Sequence, residues 1–285
     1  MKIVPQAFYS APKIQKIFVD GDCCVIYKYT KTADTDNHRL LSAHALTIVM
    51  KGGLLVHNDE GLPAQVDRGQ MVLLPKGLYA ITDLIPDGEA FEAYVLFFDS
   101  ALLDQLKLDT TQPLTDGESP SPKVFKPNKR LIDYLGTFKR LYQDIKAPKE
   151  MCRFKLLETL NYILQLDKGG IFKQALAELK IKPKKGLSEF MELHFDKPLD
   201  VEQYANLAGM SVATFRRKFH LEFQTSPKKW LINKRLTKAR EILKRNELPV
   251  YQVAQAAGYS DIPHFIKSFE HHFNISPKKF AQTFA

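Results

Sequence analysis

The C-terminal third of the chain contains one sequence pattern twice, and this duplication restricts the possible folds more than any other feature. "VEQYANLAGMSVATFRRKFHLEFQTSPKKW" from Val201 aligns with "VYQVAQAAGYSDIPHFIKSFEHHFNISPKKF" from Val250, with an offset of 49 residues as far as Ser211 and of 50 from Phe215 onward. The identical pairs include Gln203 with Gln252, Ala205 with Ala254, Ala208 with Ala257, Gly209 with Gly258, Phe215 with Phe265, Phe219 with Phe269 and Phe223 with Phe273. Two copies of one supersecondary unit are the simplest explanation.

Each copy has the pattern of two helices joined by a tight turn. In the first copy, Val201 and Ala205 recur at helical spacing, and Gly209 supplies the positive φ at which many helices end. Ser211 then caps a second helix. In the second copy Gly258 ends the first helix and Asp261 takes the cap position, so the additional residue falls in the turn. An insertion inside a helix would instead rotate its apolar stripe by about 100°.

The repeated "SPKK" marks the start of the helix that closes each unit. Ser226 and Ser276 are predicted N-caps, and Pro227 and Pro277 follow at the first helical position, where a missing N–H has no cost. Lys228 and Lys278 then fall in the first turn, where the helix dipole disfavours a cation. Nearby phosphate would offset that penalty, and plain solvation is the alternative.

Positive charge is concentrated in the same part of the chain. Residues 182–285 contain 18 Lys and Arg against 10 Asp and Glu, whereas residues 1–181 contain 23 against 22. The C-terminal segment therefore attracts phosphate polyanions. Two helices joined by a glycine-containing turn in a basic segment are typical of the helix-turn-helix motif, whose second helix enters the major groove of double-stranded DNA.

From about Lys182 to Ala285 the chain resembles the DNA-binding domain of the AraC family of bacterial transcription regulators. The stretch "GYSDIPHFIKSFEHHFNISPKKF" has the glycine, aromatic and Ser-Pro spacing of that family's C-terminal signature, and "PKKWLINKRLTKAREILKR" corresponds to its long connecting helix. The resemblance implies an all-α tandem helix-turn-helix domain at 182–285, with units at about 201–220 and 250–270. It also implies a transcription regulator, which we expect to be an activator that recruits RNA polymerase.

The helical period predicts which side chains of the first copy face DNA. If Phe215 and Phe219 face the core, a rotation of about 100° per residue turns four side chains away from it, namely Ala213, Arg216, Arg217 and His220. Arg216 and Arg217 are the strongest candidates for base contacts, because one guanidinium can bond guanine O6 and N7 together. A solvated surface is the alternative. Val212 and Thr214 complete the predicted DNA-facing segment.

The equivalent face of the second copy is poorer in hydrogen-bond donors. Its outward positions are Pro263, Ile266, Lys267 and Glu270. We expect this helix to hold phosphate through Lys267 and His264 rather than to read bases, with Ile262 and Pro263 beside them in the interface. The family arrangement implies recognition helices in successive major grooves, roughly 34 Å apart on one face of the duplex.

Residues 1–100 are predicted to form a β-rich domain of a different kind. Short runs such as "CCVIYKY", "ALTIVMKGGLLVHN" and "AYVLFFD" alternate with turns, which is typical of a small barrel or jelly roll. "DRGQMVLLPKGLYAI" resembles the glycine and Pro-x-Gly pattern of cupin folds, which many AraC-type regulators use for sensing or dimerisation. The sequence therefore predicts an α+β protein with an N-terminal cupin-like β-barrel, controlled by a small-molecule effector or by a regulatory protein.

Candidate ligand-binding residues in this barrel are Tyr27, His44, Tyr79 and Phe97, although each is as readily explained as part of the core. A metal-binding cupin needs converging His and carboxylate ligands. Ala80 stands where such cupins place a histidine, and His44 and His57 stand singly. We therefore expect no metal, no cofactor and no catalytic residue. The alternatives are a DNA-tethered cupin metalloenzyme and a regulator switched only by a protein antagonist.

Residues 101–180 are predicted to be helical, with a loop at "TQPLTDGESPSPK". Two apolar series keep a helical period: Leu131, Tyr134, Leu135, Phe138 and Tyr142, then Phe154, Leu157, Leu160, Ile163 and Leu164. These helices pack on their own domain, or the second series forms the seam of a homodimer. The basic stretch Ile181–Gly186 is the predicted hinge.

The remaining composition bounds the cellular setting. Three cysteines, Cys23, Cys24 and Cys152, fit neither a disulfide framework nor a zinc ligand set, so we interpret them as buried thiols. The chain has no signal-peptide pattern and no apolar run of about 18 residues. We expect a cytoplasmic protein without a membrane association.

Overall fold

The computed structural model describes residues 2–12, 14–33, 38–58, 63–108, 120–142, 145, 148–180, 186–245 and 247–284. The chain divides into two compact units, Met1–Pro183 and Lys184–Ala285. Most of the predicted hinge at 181–186 and most of the predicted loop at 111–123 lie outside the described residues.

The first unit contains the β-rich part of the chain. Its strands are β1 (Lys2–Val4), β2 (Ile14–Asp20), β3 (Cys23–Thr30), β4 (His38–Leu41), β5 (His44–Lys51), β6 (Gly53–His57), β7 (Ala64–Val66), β8 (Met71–Leu74), β9 (Gly77–Leu84), β10 (Phe91–Phe98) and β11 (Lys123–Phe125). Its helices are α1 (Gln6–Tyr9), α2 (Ser100–Leu103), α3 (Lys129–Tyr142), α4 (Lys149–Leu166) and α5 (Ile171–Glu178). The longest strands are rich in β-branched and aromatic residues, which pack well on a pleated surface.

The described strands form two open sheets. One has the order β1-β4-β9-β6-β7 and the other the order β11-β8-β5-β10-β3-β2. The edge strands β1, β7, β11 and β2 each pair on one side only among the described strands. The predicted N-terminal β-sheet domain is therefore confirmed, but the prediction that it closes into a barrel is wrong.

The six-stranded sheet is buried on both faces and forms a middle layer between the five-stranded sheet and the helices. Successive side chains of a strand point to opposite faces. Cys24 and Ile26 of β3 belong to the core shared with the five-stranded sheet, whereas Val25 and Tyr27 belong to a second core completed by the helices. A barrel closes only when its first and last strands pair with each other, and among the described strands β11 and β2 remain separate edges of this sheet.

The helical layer covers the outer face of the six-stranded sheet. Leu160 and Ile163 of α4 are buried in its core together with Phe138 of α3. Phe154, which belongs to the same predicted apolar series as Leu160, is instead 69% exposed. The predicted helical segment also contains a strand, because β11 pairs antiparallel with β8.

The described part of the second unit is helical, as predicted. Its helices are α6 (Leu187–His194), α7 (Val201–Leu207), α8 (Val212–Phe223), α9 (Pro227–Lys244), α10 (Val250–Ala256), α11 (Ile262–Phe273) and α12 (Pro277–Gln282). The long helix α9 contributes Leu236 and Leu243 to a core that it shares with α10 and α11. The same helix contributes the buried Leu231 nearer its start. It is the connecting helix predicted from residues 227–245.

Candidate nucleic-acid interface

The first helix-turn-helix unit consists of α7 and α8. Asp200 and Gln203 form a capping box at the start of α7, each side chain accepting a 2.9 Å hydrogen bond from the backbone N–H of the other. Gly209 in the turn has a φ of 68°, which would strain a residue with a side chain. Ser211 caps α8 by accepting a 3.2 Å hydrogen bond from the Thr214 N–H. The predicted turn and cap are therefore both present.

The second unit, α10 and α11, repeats this geometry with one difference in the turn. Gly258 has a φ of 88°, and Asp261 caps α11 by accepting a 3.0 Å hydrogen bond from the His264 N–H. Ser260 is the additional residue, and it is exposed in the turn. Both recognition helices consequently begin at a capped residue and have equal length, since α8 and α11 each contain 12 residues.

The outward face of α8 carries a concentrated positive charge. Phe215 and Phe219 are fully buried, so the four residues predicted to point away from them are exposed, namely Ala213, Arg216, Arg217 and His220. Val212 and Thr214 are half-buried at the start of the helix. Lys218 is also exposed and was not among the predicted contact residues, although it is the third consecutive cation of "RRK".

The outward face of α11 is less polar. Pro263, His264, Lys267 and Glu270 are exposed. Ile262 and Ile266 are half-buried and pack against the core of α9, α10 and α11. Of the residues predicted to contact DNA, Ile262 is therefore partly buried in the core of its own domain. Where α8 offers two guanidinium groups, α11 offers one ammonium group beside a carboxylate.

The helices that close the two units begin as the sequence predicts. Ser226 caps α9 and Ser276 caps α12, each by accepting a hydrogen bond from the N–H three residues on, at 3.4 and 3.5 Å. Lys228 and Lys278 follow in the first turns of these helices and are exposed. Each ammonium group is thus free to meet a phosphate.

The four candidate ligand residues of the first unit do not line one pocket. Tyr27 borders an open cleft of about 510 Å³, whereas Phe97 borders an interior cavity of about 40 Å³ between the two sheets. The Tyr79 hydroxyl is buried and donates a 2.9 Å hydrogen bond to the Pro75 carbonyl oxygen. The reason for this separation is strand alternation, since Tyr27 faces the helices and Phe97 faces the opposite sheet.

The candidate histidine of this unit is held as a neutral core residue. His44 is buried, and its Nδ1 accepts a 3.1 Å hydrogen bond from the Lys76 N–H. Burial, together with the charge of Lys76, lowers the pKa of His44 to about 4. His57 is exposed at the end of β6. In the part of the chain that the structure describes, no three His, Cys, Asp or Glu side chains lie close enough to hold a metal ion.

The cysteines are buried, as interpreted from the sequence, and none is in a disulfide. Burial raises the pKa of Cys23 to about 11 and that of Cys24 to about 12. Such thiols are protonated and unreactive at neutral pH. None of the described helices is long and apolar enough to traverse a lipid bilayer.

Two capped helix-turn-helix units on a basic helical domain, joined to a separate β-sheet unit, define a DNA-binding protein with an attached second domain. Residues 204–283 match the helix-turn-helix domain family, and residues 44–175 match the ExsA N-terminal regulatory domain family. The chain belongs to the AraC family of transcription regulators and is a sequence-specific DNA-binding regulator.

Relatives of known name match most of the chain. It is 23% identical over 249 residues to the virulence regulon transcriptional activator VirF of Yersinia enterocolitica, which covers 84% of this chain and 89% of that protein. It is 23% identical over 256 residues to the transcriptional regulator ExsA of Pseudomonas aeruginosa, which covers 87% of this chain and 89% of that protein. Apo ToxT from Vibrio cholerae has a TM-score of 0.42 at 11% identity, over 94% of this chain and 100% of that chain.

Proposed function

We propose that this regulator is a cytoplasmic transcription activator in which α8 reads base edges and α11 holds the phosphate backbone. The observation that carries this division is the contrast between the two outward faces. Arg216 and Arg217 are exposed on α8, whereas Ile262 and Ile266 of α11 turn partly into the core. The name of the relative VirF, a transcriptional activator, supports activation as the sign of regulation.

Guanidinium groups suit the first helix for sequence recognition. One guanidinium donates two parallel hydrogen bonds to guanine O6 and N7, a pattern that no other base pair presents in the major groove. Arg216 and Arg217 lie in the first half of α8, which is the part of a recognition helix that reaches base edges. His220 lies about one turn further along, and Lys218 directly follows Arg217; a phosphate contact by either side chain would orient the helix.

Phosphate binding by the second helix and by the closing helices would position the protein on the duplex. Lys267 and His264 on α11 are exposed, as are Lys228 and Lys278 in the first turns of α9 and α12. Phosphate contacts set orientation and carry no sequence information. The first helix-turn-helix unit would then select the DNA sequence, and the second helix-turn-helix unit would add affinity at a neighbouring groove.

The small cavity between the sheets of the first compact unit favours regulation by a protein partner over regulation by a small effector enclosed there. The interior cavity has a volume of about 40 Å³, whereas ligand pockets typically have volumes of about 300–1,000 Å³. The open cleft beside Tyr27 has room for a small molecule. A thermal-shift screen against metabolites separates these two modes, because a ligand of the folded state raises its melting temperature.

The described surface of α4 supports homodimerisation through a narrow strip and not through the whole apolar series. Leu160 and Ile163 are buried in their own unit, while Phe154 is 69% exposed. Glu158 and Asn161, one and two turns further along, are exposed on the same side. Phe154→Glu is expected to shift the protein from dimer to monomer in sedimentation velocity, and an unchanged sedimentation coefficient would remove α4 as the dimer seam.

The division between reading and holding is tested by titration. Duplexes selected by the wild-type chain from a random-sequence pool, and scrambled versions of them, are the probes. Arg216→Ala is expected to reduce discrimination between the two by about tenfold, since one bidentate contact contributes about 1–3 kcal/mol. Lys267→Ala is expected to weaken both equally and to lower the salt slope by about one.

Arg245→Ala is the matched control, because Arg245 is an exposed cation at the C-terminal end of α9 and lies on neither recognition helix. Recruitment of RNA polymerase is tested by transcription in vitro from a promoter containing the selected duplex. If Arg216→Ala weakens binding evenly and Lys267→Ala relaxes sequence preference, the proposed roles are reversed.

A further inference from the structure

Arg235, near the middle of α9, is bound to the turn that precedes the first helix-turn-helix unit. Its Nε donates a 2.8 Å hydrogen bond to the carbonyl oxygen of Phe195. Its Nη2 donates to the carbonyl oxygens of Lys197 and Leu199, at 2.6 and 3.1 Å. A single side chain therefore satisfies three main-chain acceptors of the segment between α6 and α7.

The same guanidinium group reaches into the first helix-turn-helix unit. Nη2 of Arg235 lies 3.2 Å from the hydroxyl oxygen of Tyr204, and Tyr204 is fully buried in α7. That hydroxyl also lies 2.8 Å from the carbonyl oxygen of His194 and 3.1 Å from that of Lys197. The orientation of α7 is thus coupled to α9 through Arg235 and Tyr204.

The second helix-turn-helix unit touches the same point. A Cβ atom added to Gly258, in the turn between α10 and α11, would lie 2.6 Å from the Asp196 carbonyl oxygen and 3.1 Å from Arg235 Nε. The charge of Arg235 also acts on Tyr259, where it opposes the burial that raises the pKa of that phenol. Arg235 therefore lies where the connecting helix, the α6–α7 segment and the turn of the second unit meet.

Neighbouring contacts close this junction on one face of α9. Lys238, one turn after Arg235, forms a 2.5 Å ion pair with Asp196. Its ammonium group lies 5.7 Å from the centre of the Phe195 ring. Lys234 forms a 2.5 Å ion pair with Glu192. These three cations, at positions i, i+1 and i+4, attach the α6–α7 segment to the connecting helix.

We propose that Arg235 is a positioning residue that sets the spacing and angle at which α8 and α11 are presented to DNA. This inference rests on the proposed function, in which both helices contact one duplex. A guanidinium group is a rigid planar fork of five donors, so its bonds constrain direction as well as distance. Holding the two helices in their bound arrangement before binding reduces the entropy lost on association.

The junction adjoins the cores of the two helix-turn-helix units at Tyr204 and Tyr259, but most of the hydrogen bonds of Arg235 lie outside those cores. Phe215 and Phe219 fill the core of the first helix-turn-helix unit, and Phe265 and Phe269 fill the core of the second helix-turn-helix unit. The partners of Arg235 are mostly backbone carbonyl oxygens of a connecting segment. Removing the guanidinium group should therefore loosen the relative position of the two helix-turn-helix units more than it disturbs the fold of either one.

The test uses the full chain and a duplex that the wild-type protein selects from a random-sequence pool. Footprinting first locates the two segments of this duplex that the protein protects. Companion duplexes then carry one, two or five base pairs inserted between these segments, because each added base pair rotates the second segment about the helix axis by about 34–36°. The variants are Arg235→Met, which keeps the length but has no donor, and Arg240→Met as control. Arg240 is exposed on the same helix and lies against the Phe273 ring, away from the junction.

The wild-type chain and Arg240→Met are expected to lose at least about tenfold in affinity on insertion of one base pair, as for a mismatched site. Arg235→Met is expected to bind the selected duplex more weakly and to discriminate between spacings severalfold less. Gly258→Ala, which forces the second turn away from Asp196, is expected to change spacing preference in the same way. Circular dichroism melting establishes which variants are folded at the titration temperature.

Each result bears on the inference. Equal affinity of the wild-type chain for all spacings, or wild-type spacing discrimination in folded Arg235→Met, would overturn it. An equal loss of affinity on every duplex would also overturn it, since this is the result expected of a purely structural role. If the wild-type chain selects no duplex at all, sequence-specific binding itself fails, and this outcome is distinct from the others.

Discussion

The ammonium group of Lys28 lies 2.6 Å from a carboxylate oxygen of Asp83, across the space between the two sheets of the first unit. Lys28 belongs to β3 of the six-stranded sheet and Asp83 to β9 of the five-stranded sheet. The Asp83 side chain is 3% exposed. The ion pair therefore joins the two layers beside a small cavity whose lining is mostly apolar and also includes the buried Arg39 and Thr47.

Removal of the Asp83 carboxylate is expected to destabilise the first unit strongly. Asp83→Ala leaves the half-buried ammonium group of Lys28 without its partner, and breaking such a pair costs about 3–5 kcal/mol. Asp87→Ala, in the exposed loop between β9 and β10, is the matched control. Urea unfolding, monitored by far-ultraviolet circular dichroism, measures the loss of stability. Equal urea midpoints for Asp83→Ala and Asp87→Ala would contradict the prediction.

The stability of the first unit is expected to fall as the pH is lowered from about 6.5 to about 4, in part because of His44. The folded state holds this imidazole neutral, while the unfolded chain binds a proton at the ordinary pKa of about 6.5. Protons therefore favour unfolding throughout this window, and the contribution of His44 is fully present above it.

Replacing His44 should reduce that dependence. His44→Gln can still accept the Lys76 N–H bond, and it is expected to flatten the slope of unfolding free energy against pH by up to one proton between pH 4 and pH 6.5. His57→Gln, at an exposed position, serves as the control. A His44→Gln protein whose stability falls with acid as steeply as the wild type would contradict this assignment.

The helix-turn-helix units could be predicted closely because their signals are local. Gly209 and Gly258 mark the turns, Ser211 and Asp261 mark the caps, and the phenylalanine pairs mark the buried faces. All of these depend on residues within one turn of a helix. The one-residue difference between the copies was placed correctly in the turn, at Ser260, since a helix would not tolerate it.

Long-range relations could not be predicted in the same way. The strands between residues 14 and 98 were readable, but their closure into a barrel was predicted wrongly, because closure depends on pairing between edge strands that are distant in sequence, such as β2 and β11. The strand β11 was missed because it is three residues long and pairs with a distant strand. Arg235 was missed because a cation on a helix is usually solvated, and its carbonyl partners come from a segment about forty residues away.

Lys228 is expected to affect helix stability and DNA affinity in opposite directions. It is exposed in the first turn of α9, where the positive end of the helix dipole repels its ammonium group. Lys228→Ala should therefore raise the unfolding free energy of the second unit by about 0.3–1 kcal/mol. The same substitution should weaken binding to every duplex and reduce the salt slope by about one, because one phosphate contact is lost.

Lys244→Ala is the matched comparison at the other end of the same helix. Lys244 lies in the last turn of α9, where the dipole favours a cation, and its ammonium group is 2.8 Å from Glu241. This substitution should lower the unfolding free energy slightly, by about 0.3–1 kcal/mol, which is opposite in sign to the effect of Lys228→Ala. Thermal melting and fluorescence anisotropy titrations at several salt concentrations measure both quantities. If Lys228→Ala destabilises α9 and leaves the salt slope unchanged, its ammonium group serves the fold and not the phosphate backbone.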